Sequence, residues 1–193
     1  MKKLFLSALL ALFVSISGQA HASAATSAVQ AAINSNNFAG IDSYAAANPA
    51  AQGEIAMYLL QQAKAKLASN PTLAAKLFEA ASAYVAQIPA AQSTNAASLI
   101  ASIVNTVNGA GFQSSNPDAA SSIFAAALNM SNQPNILAAN PNLYATVLSS
   151  ANVFLNKNPQ AANKKLKDVV SLAQSAGTPP STNAIGGNVP SVE

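Results

Sequence analysis

The chain has 193 residues, 51% hydrophobic and 8% charged, with nine lysines and no arginine, six acids, one histidine, and neither cysteine nor tryptophan. That inventory excludes disulfides and zinc or copper sites built from several His and Cys, and the loss of His21 expected on cleavage of the leader excludes nucleophile systems that pair Ser with His as well. It also argues against nucleic acid, because the bidentate phosphate ligand is missing and the lysines form no long track.

The first residues read as a secretory signal: Lys2 and Lys3, the apolar run Leu4 to Ile16, then Ala20-His21-Ala22 as a small-residue cleavage site. A run of that length is too short to cross a bilayer comfortably, so residues 1–22 are expected to be removed, leaving no transmembrane segment. No cysteine follows the run, which excludes a lipid anchor there. Cleavage takes His21, Lys2 and Lys3 with it, leaving seven lysines against six acids and a net charge near +1. The basic pI of 9.3 is then largely a property of the leader. The expected location is periplasmic or extracellular.

Ala, Ser and Asn dominate the remainder and strand-length β-branched runs are lacking, which predicts an all-α fold. Residues 23–47 carry apolar positions at Val29, Ala32 and Ile33 and again near Ile41 and Tyr44, suiting two short helices that cap the longer helices beyond them. In those longer helices, Asn48-Pro49, Asn70-Pro71, Asn116-Pro117, Asn140-Pro141 and Asn158-Pro159 each set a capping side chain before a residue preformed for a first helical turn, and Ile88-Pro89 adds a sixth start. The helices so marked run near 49–68, 71–87, 89–107, 117–130, 141–157 and 159–175. The last sixteen residues, 178–193, are rich in Pro, Gly and Asn without periodicity and read as a tail.

Asn70 to Pro89 returns as Asn140 to Pro159, with Leu73, Leu77, Phe78, Ala81, Tyr84 and Val85 answered by Leu143, Val147, Leu148, Ala151, Phe154 and Leu155. The shared positions make one helical stripe, so each copy is expected to bury it. Similar matches in the flanking helices predict two tandem three-helix units of roughly 66–70 residues, 48–115 and 116–177, stacked as a helical repeat or bundle.

Chemistry is harder to find. Glu54 and Glu79, on adjacent helices, are the only pair suggesting a glycosidase; Glu79 also suits a surface pair with Lys76, and Asp118 suits the first turn of a helix. No residue is assigned a catalytic, cofactor or metal role. Lys164, Lys165 and Lys167 form the one cationic cluster, a solvated face or a contact with an anionic surface. Phe112, in the stretch between the units, is expected to plug their junction. Tyr144 stands where the first copy has Ala74, one step off the stripe, and is expected at an exposed contact surface. The function expected is a non-enzymatic binding or structural component of the bacterial envelope or extracellular matrix, with an unknown protein or polysaccharide partner. A periplasmic carrier of an apolar small molecule is the first alternative and a carboxylate-based glycan hydrolase the second.

Overall fold

The structure is a computed structural model and describes residues 24–175; the expected leader, 1–22, and the expected tail, 178–193, lie outside the described residues. Every regular element among those residues is helical. In chain order they are α1 (residues 24–35), α2 (Ala39–Ala47), a 3-10 turn (Pro49–Ala51), α3 (Gln52–Lys66), α4 (Pro71–Ser82), a second 3-10 turn (Val85–Gln87), α5 (Ala90–Val107), α6 (Ala110–Ser115), α7 (Pro117–Ser131), α8 (Pro134–Ala139), α9 (Leu143–Lys157) and α10 (Lys164–Ser175).

The Asn-Pro pairs share one geometry. Proline bars the preceding residue from the α region, and the five asparagines take φ between −131° and −150° with ψ between 55° and 87°. Each donates its backbone N–H four residues back, to Tyr44, Lys66, Phe112, Ile136 and Phe154, and so finishes the segment behind it. Each carbonyl then accepts from the following turn. The pairs are thus stops as much as starts. Only Asn70 caps with its side chain, accepting from the Leu73 N–H at 3.1 Å, whereas the side chains of Asn48 and Asn158 turn back to the carbonyls of Tyr44 and Phe154.

Several boundaries differ from the sequence reading. Asn158-Pro159 opens a turn, and α10 begins only at Lys164, where Asn163 caps the Leu166 N–H at 2.9 Å. The helix expected over 71–87 ends at Ser82, because the N–H groups of Ala83 and Tyr84 switch to three-residue bonds. Asn135 accommodates that break by donating to the Val85 and Ile88 carbonyls at 3.0 and 3.1 Å. The stretches around Phe112 and Gln133 are not plain connections: they contain α6 and α8.

The core gathers around α7, of which eleven of fifteen residues are buried and against which α4, α5, α6, α8, α9 and α10 all pack. Ala119, Ala120, Ala125, Ala126 and Ala127 keep its wall thin, so neighbouring helices approach closely while Ile123, Phe124 and Leu128 fill the gaps between them. Phe124 meets Phe154 of α9 with ring centroids 5.4 Å apart at 44°. The expected stripe on α4 lies inward: Leu77, Phe78, Ala81, Tyr84, Val85 and Ile88 are buried and Leu73 is half-buried. The fit is tightest at Gly53, where a Cβ would sit 2.5 Å from the Gln87 carbonyl oxygen, so only glycine lets α3 meet the second 3-10 turn.

Candidate functional site

The residues singled out in the sequence do not converge on one site. Tyr144 is buried, not exposed. Its counterpart Ala74 is fully buried as well, because α4 packs on both α3 and α7 and α9 packs on α5, α7 and α10, so the buried face of each helix is broader than a single stripe. Burial raises the Tyr144 phenol pKa above its ordinary value. Phe112 is half-buried on α6 and packs against the core. The groove beside it is lined by Asn108, Ala110, Gln113, Ser114, Val153, Lys157 and Asn158, a mostly polar set that does not include Phe112.

Lys164, Lys165 and Lys167 are all exposed on α10. Lys164 pairs with Asp168 one turn on at 2.5 Å. Lys165 reaches across to Glu79 of α4, so the expected pairing of Glu79 with Lys76 is not formed. Lys76 instead donates to Asn36 Oδ1 at 3.2 Å. Asn36 is fixed in the left-handed region, φ 50°, where the Asn36 and Asn37 N–H groups close α1 onto the Ile33 and Ala32 carbonyls.

Among the carboxylates, Asp42 of α2 accepts from the hydroxyl of Tyr84, which is buried beyond the end of α4. Burial first, then that hydrogen bond and the Asp42 charge, push the Tyr84 pKa well above the usual phenol range and keep it a donor. Glu54 is not a simple solvated residue: its Oε2 is buried and has no hydrogen-bond partner among the described residues. Glu79 shares a groove with Asp42 and Lys76, and Glu54 is not part of that lining. Asp118 is exposed in the first turn of α7. No group of three or more His, Cys, Asp or Glu among the described residues is placed to hold a metal ion, and no helix there is long and apolar enough to cross a membrane.

A larger pattern had gone unread in the sequence, although counting would have found it. Between Glu79 and Lys157, Asp118 is the only charged residue. The fold turns that gap into a face, because α5 packs against α6, α8 and α9, whose only charge is the terminal Lys157. Asn95, Ser98 and Asn105 of α5 and Ser149 and Asn156 of α9 are exposed there, with no side-chain hydrogen bonds to other described residues. Where α5 borders α3, a groove of about 340 Å³ is lined by Met57, Gln61, Lys64, Asn95, Ser98 and Leu99. Such a surface offers amide and hydroxyl donors and acceptors over small apolar patches, the chemistry of contact with neutral polar groups.

The chain matches no protein-family model, no curated protein and no solved structure.

Proposed function

We propose that the protein is an exported, non-enzymatic helical component of the bacterial envelope or extracellular matrix, and that its uncharged side faces a neutral protein or polysaccharide partner. The observation that carries this reading is the segregation of charge. A soluble domain ordinarily has about a quarter of its residues charged, and this chain has 8%; among the described residues only Lys157 places a charge on α5, α6, α8 or α9. A face whose only charges lie at its borders, Lys64 beside Asn95 and Ser98 and Lys157 at the end of α9, gains little electrostatic steering, and covering its centre removes no ions from water. Three of the five described carboxylates support the same reading, since Asp42, Glu79 and Asp168 are engaged with Tyr84, Lys165 and Lys164.

The two sets of helices are part of this proposal: α3, α4 and α5, and α7, α9 and α10, are copies of one three-helix unit. In each set the first helix is the one on which the other two pack, which supports the duplication. Packing of α4 on α7 would then join the copies.

The test is to place charge on the face. Asn95→Lys with Ser98→Lys should weaken co-sedimentation with the envelope fraction of the producing cells by about tenfold, as desolvating new charges costs on the order of 1–3 kcal/mol. Unchanged attachment would put the contact elsewhere.

A further inference from the structure

The groove between α2 and α4, about 350 Å³, is lined by Phe38, Ile41, Ala80 and Ala83 together with Asp42, Lys76 and Glu79. Its volume is near the lower end of the roughly 300–1,000 Å³ of small-molecule pockets, which favours a small ligand. Glu79 is paired with Lys165 across the exposed rim. Asp42 and Lys76 are held differently. Each has a neutral hydrogen-bond partner, Tyr84 and Asn36 respectively, and neither forms an ion pair among the described residues. Tyr84 is fixed by burial and so holds the Asp42 carboxylate in place before any ligand arrives, whereas Lys76 reaches Asn36 across the exposed rim. The groove therefore presents an anion and a cation, neither of them in an ion pair, beside apolar side chains.

We propose that this groove binds a small zwitterion with an apolar body, an apolar amino acid or short apolar peptide with both termini free, its ammonium on Asp42, its carboxylate on Lys76 and its side chain against Phe38 and Ile41. The inference is independent of the partner assigned to the uncharged side. A ligand of net charge leaves one of the two protein charges unmatched, and an uncharged ligand leaves both.

Calorimetric titration of the purified protein with leucine, leucyl-leucine, N-acetyl-leucine and leucinamide tests it. At least one ligand with both termini free should bind saturably, and D42N and K76M should each weaken that binding by about tenfold or more, the effect of one hydrogen bond to a charged group. In D42N an oxygen remains for the Tyr84 hydroxyl, and circular dichroism confirms that either variant folds. Capping the ligand tests the same contacts without altering the protein: N-acetylation should cost as much as D42N and leave no further sensitivity to it, and amidation should do the same for K76M. The proposal is overturned if neither free-termini ligand binds saturably, or if neither N-acetylation nor amidation weakens binding.

Discussion

The side of the molecule made by α2, α4 and α10 and the side made by α5, α6, α8 and α9 are tied together differently. On the first, polar side chains join elements distant in sequence: Lys165 to Glu79, Lys76 to Asn36, Tyr84 to Asp42. On the second, apolar packing is supplemented by neutral groups, as where Asn135 of α8 closes the open carbonyls beyond α4. The charged ties secure the first and last described helices, α1 and α10, while the uncharged side leaves exposed amides and hydroxyls such as Asn95 and Ser149 to meet something else.

Substitutions should separate packing from these ties. The largest loss is expected where both sides share the core: Phe124→Ala should destabilise by about 3–5 kcal/mol in denaturant unfolding, the cost of emptying a buried aromatic site. Asn163→Ala should cost about 0.5–2 kcal/mol by uncapping α10 and releasing its amide from Ser122. Tyr84→Phe should cost about 1 kcal/mol at neutral pH, and it also has a pH signature. The folded-state pKa of Tyr84 is raised, so its contribution is fully present below the unfolded phenol value near 10 and is lost as pH rises beyond it. The phenylalanine variant should lack the part of the alkaline destabilisation due to Tyr84, Tyr144 retaining its own. The smallest effect belongs to Lys165→Met, under about 1 kcal/mol and shrinking with salt, because Lys165 and Glu79 are each 48% exposed.

Much of the fold was legible because its determinants are local. Proline restricts the residue before it wherever the chain goes, so Asn48, Asn70, Asn116, Asn140 and Asn158 mark breaks correctly even where the helix begins later. The inward face of α4 followed from spacing alone. The early end of α4 at Ser82 did not, since it accompanies a tertiary bond from Asn135, fifty residues away from Val85. The late start of α10 depends similarly on Asn163, whose backbone N–H meets Ser121 of α7. Tyr144 was misjudged because a stripe taken from one helix cannot show how many neighbours surround it. The groove of Asp42, Lys76 and Glu79 was out of reach for the same reason, whereas the long uncharged interval was present in the residue order and needed the fold only to become a face.

The most direct test of the role given to that face is the salt dependence of envelope attachment. Contacts made by neutral amides and hydroxyls are not screened, so attachment measured by co-sedimentation should stay constant within about twofold between ~0.05 and ~0.5 M salt. A fall of about tenfold or more over that range would contradict the account and show that charged side chains make the contact.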